Sequence, residues 1–594
     1  MSINFKNLVE MQQHSCRKYK DRKMYGTKGP NGFSWITYQQ FEAQVDEFRG
    51  GLATLGVSRG DKISIIANNC VEWAVGAYAT YGLGAHYVPM YESQLVKEWK
   101  YILKDSGTKI LFVCNPDIYQ KTQVLIDEIE TLKYIVPMFE NVGNLRSYPE
   151  LKKAGKQHPV PAYSPGPDEP MGLTYTSGTT GNPKGVVLTH NNIITEIRSL
   201  DEAWQSDRIT EEDRGLSFLP WGHLMGQIQE VHQLIFYGCS SGLVRDINEI
   251  GEDFSLIQPT IFYSVPRLLN KICEGIGRKM ETKGGFVKML YDKGLKGSRH
   301  RFEKKRVGLR QKFWSVVADR LIFNKIRNTL GGRLRMLFSG GAALSQDITE
   351  FLDCLGIPVF EGYGLTETCM AVTLNSPGHR RFGSVGRALP NAKVVLDTTV
   401  DIAREGEGEI VVYGPLLMKE YHNLPEATKE TFDEDGGFRT GDIGRFDEDG
   451  YLYITGRIKE IYKMENGKYV SPGPMEEQLK NSPYINQAMV SGTNQLFNVV
   501  LIIPEEGALK DFAKKHLIEK HSENWKTDPK IFHLFEDEIK KHSSSFKKFE
   551  RPLKFSLVWD DWSIENGFLT PTLKLKRRLI FDKYCEIIEE LHSM

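Results

Sequence analysis

Thr174-Tyr-Thr-Ser-Gly-Thr-Thr-Gly-Asn-Pro-Lys-Gly-Val186 decides how the rest of the chain is read, because it gathers hydroxyls and glycines around one lysine and holds no acidic side chain. Such a run suits an anion. Gly178, Gly181 and Gly185 let backbone N–H groups come close to a bound group, Thr176, Ser177, Thr179 and Thr180 add hydroxyl donors, and Lys184 adds a positive charge. A polyphosphate matches that chemistry. The common P-loop requires G-x-x-x-x-G-K-[S/T], whereas Lys184 follows Pro183 and precedes Gly185, so a Walker-type reading is set aside. Glycine and threonine are also turn formers, and the same composition suits a plain polar connection between two strands.

Upstream of this loop the pattern is layered. FEAQVDEFRGGLATLG has helical periodicity, DKISIIAN is a short apolar strand, and TKILFVC and YIVPMF repeat the strand signal. Such alternation predicts an α/β fold with largely parallel strands. Val71–Met90 is nearly all apolar or small, but Glu72 and His86 interrupt it and glycines at 76, 82 and 84 predict a buried helix turning into a buried strand. The proline-rich stretch 158–170 reads as an extended linker into the loop. Beyond the loop, an apolar helix-like run precedes Leu216-Ser-Phe-Leu-Pro-Trp-Gly-His-Leu-Met225, where a strand ending at Pro220 leaves His223 at its rim.

The 594 residues suggest three to four structural units at roughly 150 residues each. Lys plus Arg equals Asp plus Glu at 76 each, so the overall charge points to no nucleic acid or other polyanionic partner. Eight cysteines without a C-x-x-C pair or zinc-ligand spacing suit a reducing compartment. The first twenty residues lack the apolar core of a signal peptide, and LHSM at the other end is no retention, peroxisomal or prenylation signal. A cytoplasmic location is expected, with peripheral contact on the cytosolic face of membranes as a further expectation.

Two downstream stretches each read as a strand running into a glycine turn: Leu337-Phe-Ser-Gly-Gly-Ala-Ala343 and Pro358-Val-Phe-Glu-Gly-Tyr-Gly-Leu-Thr-Glu367. Open α/β sheets bind ligands at the carboxyl ends of their strands, which makes Gly341, Ala342, Glu361, Gly362, Tyr363 and Gly364 candidates. Gly436-Gly-Phe-Arg-Thr-Gly-Asp442 offers a carboxylate on a tight turn, suited to two neighbouring hydroxyls, and Tyr451–Arg457 alternates as a strand ending in an arginine.

Y-T-S-G-T-T-G-x-P-K-G with G-Y-G-x-T-E and T-G-D resembles the acyl-adenylate-forming enzymes, and P-T-x-F-x-x-V-P-R-x-x-x-K-I from Pro259 to Ile272 resembles their long-chain fatty acyl-CoA synthetases. The resemblance covers nearly the whole chain. It implies a large N-terminal domain of layered mixed sheets and helices (1–458) with a smaller mobile α+β C-terminal domain (459–594). It implies ATP, Mg²⁺ and coenzyme A as cofactors and a long-chain fatty acid as substrate. By it, Tyr363 would stack on adenine, Thr366 bind the α-phosphate, Glu367 hold the metal, Asp442 and Arg457 face the ribose, and His223 lie near the acyl pocket. Lys459 would be the hinge, Gly467 would leave room for pantetheine, and Lys574 would be the catalytic lysine. One departure stands in T-P-T-L-K: Leu573 occupies the place where the family usually has glycine, which leaves Lys576 as the fallback assignment. Asn466-Gly467 is by itself a hairpin-turn signal.

Residues 278–335 hold 18 Lys/Arg against four Asp/Glu, a basic insertion in a neutral chain. Phe313, Trp314, Val317 and Leu321 recur there at helical spacing, which predicts that this side buries while the other stays charged. A solvated helical insertion, attraction to CoA phosphates and attraction to an anionic lipid surface all fit this pattern.

The implied reaction replaces a carboxylate oxygen, a poor leaving group, by AMP, and then AMP by a thiol. Positioning and charge neutralisation carry such a step, and no side-chain nucleophile is required. A ligase for an aryl or short- to medium-chain acid on the same scaffold is the enzymatic rival. A nucleotide-binding regulator that has kept the fold would be favoured by loss of Lys184, Glu367, Asp442 or Lys574, and all four are present. A membrane scaffold held by 278–335 would leave the motifs idle.

Overall fold

A computed structural model describes residues 5–141, 143–144, 146–176, 182–204, 207–299, 308–401, 405–518 and 525–593. Two large sheets organise the first three-quarters of the chain. The nine-stranded sheet runs, edge to edge, through strands beginning at Arg387, Thr373, Val359, Met336, Ile261, Arg214, Ser240, Lys23 and Gly32. Its middle is parallel: Met336–Ser339 lies between Ile261–Ser264 and Val359–Tyr363 with Leu337 opposite both Phe262 and Val359. The seven-stranded sheet runs through Glu420, Lys184, Pro170, His86, Lys62, Thr108 and Tyr134.

Side-chain alternation along these strands sets the layers. Ile261, Tyr263, Met336 and Phe338 join one core with Ile63, Ile65 and Tyr87 of the other sheet and with the buried helices Val71–Tyr81 and His190–Ala203. Phe262 and Leu337 point the other way, into a second core with the helices Ile250–Ile257 and Pro266–Lys283. Ile66, Leu111 and Val113 face a third core with Val96–Ser106. Five layers, helix–sheet–helix–sheet–helix, follow from that period of two. The expected α/β architecture is present, and Val71–Met90 folds as the helix Val71–Tyr81 and the strand His86–Met90. Among the described residues no helix is long and apolar enough to cross a membrane.

A four-stranded antiparallel sheet (Lys393–Asp397, Gly408–Tyr413, Phe438–Phe446, Leu452–Arg457) packs at the side. After the single 3₁₀ turn Ile458–Glu460 comes a smaller α+β unit. Its three-stranded sheet (Ile485–Ser491, Asn498–Pro504, Pro552–Leu557) buries Val500 and Ile502 against Pro472–Leu479 and Pro529–Ser543. The opposite face buries Val499, Leu501 and Ile503 against Arg577–Ser593.

Three local expectations are corrected. The run after the anion loop is first a strand, Lys184–Thr189, and only then a helix. Asp442 lies inside the strand Phe438–Phe446 rather than on a tight turn; a register shift against Glu409–Val411, with Gly441 at φ +71°, kinks the strand there. In the basic insertion Trp314 and Val317 pack partly against the second core as expected, but Phe313 and Leu321 stay exposed, while Ser315, Ala318 and Ile322 turn inward. The helix Leu309–Ala318 passes into a π-helical turn, Asp319–Phe323, so its buried face runs through the small residues.

Candidate active site

The anion loop joins the antiparallel strands Pro170–Thr176 and Lys184–Thr189, with Thr176 paired to Lys184. Ser177, Gly178, Thr179, Thr180 and Gly181 lie outside the described residues. Lys184 Nζ sits 4.5 Å from the centroid of the Tyr421 ring, and the Tyr421 hydroxyl donates to Glu367 Oε1 at 2.8 Å. Glu367 is held from behind as well, since its carbonyl accepts from Met418 N at 2.8 Å. The lysine of the loop and the carboxylate of the second motif are thus joined through one tyrosine, which lies on the short strand Glu420–Tyr421 beside Val186–Val187.

Thr366 opens the 3₁₀ turn Thr366–Thr368 beyond the strand Val359–Tyr363. The chain then reverses through Cys369 at φ +54° and Met370 at φ +93°, a backbone that side chains other than glycine rarely adopt. The reversal brings the Met370 carbonyl over Gly364, where a Cβ would fall 1.6 Å from its oxygen, so only glycine fits. On the neighbouring strand, Gly341 has φ +80° and, with Ala342, is exposed at the carboxyl end of Met336–Ser339. Gly362 is tightly bracketed by Leu374 and Thr373. Glu361 is different in kind: its buried carboxyl receives Thr349 Oγ1 at 3.2 Å, and burial raises it to about 8. It is a neutral acid at pH 7 and offers backbone rather than charge.

Tyr363 and Asp442 meet directly, the Tyr363 hydroxyl donating to Oδ2 at 2.8 Å, and Arg457 Nε stands 3.5 Å from Oδ1. Asp442 and Arg457 are register partners on adjacent strands, which explains the pairing. Burial raises the Asp442 carboxyl, and Arg457 and the Tyr363 hydroxyl oppose that rise.

Lys574 comes to this cluster from the C-terminal unit. Its side chain is exposed. Desolvation, then Arg457, lowers its pKa, against the pull of Asp442, Glu460 and Glu367. Its backbone is pinned by Thr570: Lys574 N donates to Thr570 Oγ1 at 3.0 Å and Thr570 N to the Lys574 carbonyl at 2.9 Å. Leu573, inside that turn, has φ +61°, the left-handed conformation glycine favours. Lys576 points elsewhere, its Nζ 3.7 Å from Glu98 Oε1 at the start of Val96–Ser106.

His223 caps the short helix Leu224–Gly226, its Nδ1 accepting from Met225 N at 3.2 Å. Burial, with a smaller contribution from Lys574, lowers its pKa to about 4. The ring is neutral at pH 7, and because Nδ1 accepts, Nε2 carries the proton. Lys459 is exposed in the turn Ile458–Glu460, and Gly467 is exposed at φ +80° at the tip of a hairpin closed by Gly467 N to Met464 O at 2.9 Å.

Two contributors carry no sequence signal. Tyr421 lies 54 residues from the glutamate it contacts, in a segment without a motif. Glu230, on the π-helical turn Gln227–His232, accepts from Ser217 Oγ at 2.5 Å, the Phe218 and Leu219 amides at 3.1 Å each and Trp221 Nε1 at 3.2 Å. It braces the loop that carries His223. Its carboxyl is raised by burial to about 7.

Residues 12–422 match the AMP-binding enzyme family and residues 459–593 the AMP-binding enzyme C-terminal domain. The peroxisomal long chain acyl-CoA synthetase 7 of Arabidopsis thaliana is 31% identical over 98% of this chain and 85% of its own. Long-chain-fatty-acid–CoA ligase 1 of Homo sapiens is 30% identical over 99% of this chain and 86% of its own. In fold, the adenylation domain of a carboxylate reductase from Mycobacterium chelonae matches with a TM-score of 0.80 at 20% identity, covering 100% of this chain and 92% of that one. ATP-bound MatB from Rhodopseudomonas palustris matches with a TM-score of 0.70 at 22% identity, covering 98% and 100%.

Proposed function

The chain belongs to the AMP-binding enzyme family, and from that premise we propose that it activates a long-chain fatty acid with ATP and transfers the acyl group to coenzyme A. A carboxylate oxygen attacks the α-phosphorus, the bond to pyrophosphate breaks, and the acyl-adenylate forms. The CoA thiol then attacks the acyl carbonyl, gives up its proton, and AMP leaves. The observation that carries this reading is the meeting of Tyr363 and Arg457 on Asp442, at 2.8 and 3.5 Å, with Lys574 of the C-terminal unit near enough to feel the charges of Arg457, Asp442 and Glu367.

Each residue has a task in this reading. Lys184 and its loop bind the departing pyrophosphate. Tyr363 flanks the adenine, while Asp442 and Arg457 hold the ribose. Thr366 donates to the α-phosphate, and Lys574 bridges it to the acyl carboxylate, neutralising charge where it builds up. The lowered pKa of Lys574 comes first from desolvation and then from Arg457 beside it, and an anionic nucleotide would favour the charged form. His223 presents its Nε2 proton on the acyl side.

A single carboxylate suits Mg²⁺, which takes one or two carboxylates and completes its shell with phosphate oxygens and water. Glu367, oriented by Tyr421, would hold it, and the ion would supply neutralisation of the pyrophosphate. We assign the domain boundary to Ile458–Glu460 with Lys459 as hinge, and Gly467 to the path of pantetheine after rotation of residues 459–594. The eight cysteines are all thiols, in keeping with a cytoplasmic enzyme.

Acid-dependent ATP–pyrophosphate exchange, run with acids from acetate through benzoate to oleate and followed by CoA addition, tests the proposal. Exchange strongest with long acids, followed by acyl-CoA formation, is expected. Exchange confined to aryl or short acids would overturn the substrate class, and no exchange with any acid would overturn the reaction.

A further inference from the structure

Two thiols meet at the carboxyl edge of the seven-stranded sheet. Five of the eight cysteines are buried, whereas Cys70 and Cys114 are half-buried with their Sγ atoms 3.5 Å apart. Adjacent parallel strands bring them together. Lys62–Ile66 and Thr108–Val113 pair with Ile66 opposite Val113, and the Cys114 amide donates to the Ile66 carbonyl at 3.3 Å, which places Cys114 just beyond the second strand. The first strand turns through residues 67–69 to Cys70, the N-cap of the helix Val71–Tyr81. Glu92 clamps both turns: its Oε1 accepts from Asn68 N at 3.1 Å, and its Oε2 from Asn68 Nδ2 at 2.9 Å and Asn115 Nδ2 at 3.5 Å.

The residue before Cys70 joins this pair to the loop that carries His223. Asn69 Nδ2 donates to the Leu219 carbonyl at 2.8 Å and to Ser217 Oγ at 3.0 Å, and its Oδ1 accepts from Trp221 N at 3.0 Å. Both ends of the Asn69 amide are committed to residues 217–221. Cys70 makes no side-chain cap bond to its own helix, and its sulfur faces the other thiol. Sealed structural cysteines are inert, whereas partial exposure leaves these two open to a small oxidant.

We propose that Cys70 and Cys114 are a modification site, a dithiol that a small peroxide oxidises to a disulfide, and that the disulfide loosens residues 217–221 through Asn69. The hydrogen bond with Cys70, then burial, holds the Cys114 thiol well above its ordinary value, and Glu72 and Glu92 add to the rise, so Cys114 stays protonated. Cys70 stands at a helix N-terminus, where negative charge is favoured, and it attacks first. Its thiolate attacks one peroxide oxygen, the O–O bond breaks, and the departing hydroxide takes up the proton the thiol released, leaving a sulfenic acid and water. The Cys114 sulfur then attacks the Cys70 sulfur, the hydroxyl leaves with the Cys114 proton as a second water, and the S–S bond forms. Two thiols lose two electrons and one peroxide gains them. Forming the bond draws the sulfurs from 3.5 Å to about 2.0 Å, and the displacement falls on Asn69, the next residue. For the reaction proposed above, the consequence is a displaced His223 and slower adenylation; the thiol pair itself does not depend on that reading.

The test treats the reduced full chain, without ATP, acid or CoA, with hydrogen peroxide and follows it by peptide mapping after alkylation and by amide hydrogen exchange. Its outcome is therefore independent of the proposed reaction. A Cys70–Cys114 linkage is expected, with two of the eight thiols lost and both restored by dithiothreitol. Amide hydrogen exchange within 217–223 should quicken about fivefold in the disulfide form, as loss of one ordinary hydrogen bond gives. Cys70→Ser and Cys114→Ser should each abolish both the linkage and the quickening. Serine is a good N-cap at position 70 and differs from cysteine by one atom at position 114, so the fold stays intact. Absence of the linkage, oxidation of either thiol to a sulfonic acid without it, a linkage that leaves amide exchange in 217–223 unchanged, or quickening that persists in both serine variants would overturn the proposal.

Discussion

Replacing Lys576 separates a lysine that docks the C-terminal unit from one that acts on the reacting atoms. Lys576 Nζ lies 3.7 Å from Glu98 Oε1, and the two side chains are only 21% and 17% exposed. Their bare attraction at an effective dielectric near 20 is about 4 kcal/mol. Desolvation and immobilisation of a long side chain reduce the net value to about 1 kcal/mol. That amounts to roughly a fivefold change in the equilibrium constant between molecules with Lys574 in the cleft and those without. Glu98 has a second duty, since its Oε2 accepts from Leu95 N at 3.1 Å and caps Val96–Ser106, so Glu98→Ala would also uncap a helix. Lys576→Ala and Glu98→Gln are the cleaner perturbations. Each should lower kcat/KM for adenylation, measured by pyrophosphate exchange, about fivefold, and the double variant should lose no more than either alone. Lys574→Ala should lose the ~10²–10³ that follows removal of a transition-state donor. Thioester formation from preformed acyl-adenylate should be nearly unchanged in all of them. A Lys576→Ala loss as large as that of Lys574→Ala, or equal loss in both half-reactions, would refute the division of labour.

Leu573→Gly should relieve about 1–2 kcal/mol of left-handed strain and lose about 0.5–1 kcal/mol to greater freedom of the unfolded chain. Urea unfolding should therefore show unchanged to slightly higher stability, and a loss above 1 kcal/mol would count against a strained turn. Gly364→Ala, whose methyl would need the Met370 carbonyl to move, should lower adenylation by at least about tenfold while leaving the protein folded by circular dichroism. Normal exchange in that variant would show that the reversal after Glu367 is dispensable. Burial holds His190 and His232 at about 3, far below their unfolded value. The unfolded chain then binds more protons, so stability is present above pH 6.5 and is lost as pH falls from 6.5 toward 3, by about 2 kcal/mol for each histidine at pH 5. Denaturant midpoints at pH 7 and pH 5 check this, and equal midpoints would contradict buried neutral rings.

Strands, buried helices and the glycine turns at strand ends were legible in the sequence because each depends on short-range spacing. Alternation shows whether a residue faces in or out, and a glycine-rich run after an apolar strand shows where the backbone opens. The same local signals misplaced three features. The period of the insertion marked Phe313 and Leu321 for burial, but Gly294 and Gly297 draw the small face of the helix inward. The apolar start of the run after the loop joined a sheet whose edge strand lies more than 200 residues away. The bulge at Gly441 came from register against a partner strand.

The sequence by itself determined the layered α/β architecture, the family, and a set of candidate residues in Thr366, Glu367, Asp442, Arg457 and the two lysines near the end. Tertiary structure decided which of them meet and in what state. It put Tyr421 between Lys184 and Glu367, turned Glu361 into a neutral acid against Thr349, and sent Lys574 to the cleft and Lys576 to Glu98. The physical reason is the range of the forces involved. Periodicity and backbone preference act over a few residues, whereas hydrogen bonding, desolvation and charge pairing depend on whatever packing brings within a few ångströms, however far apart in the chain.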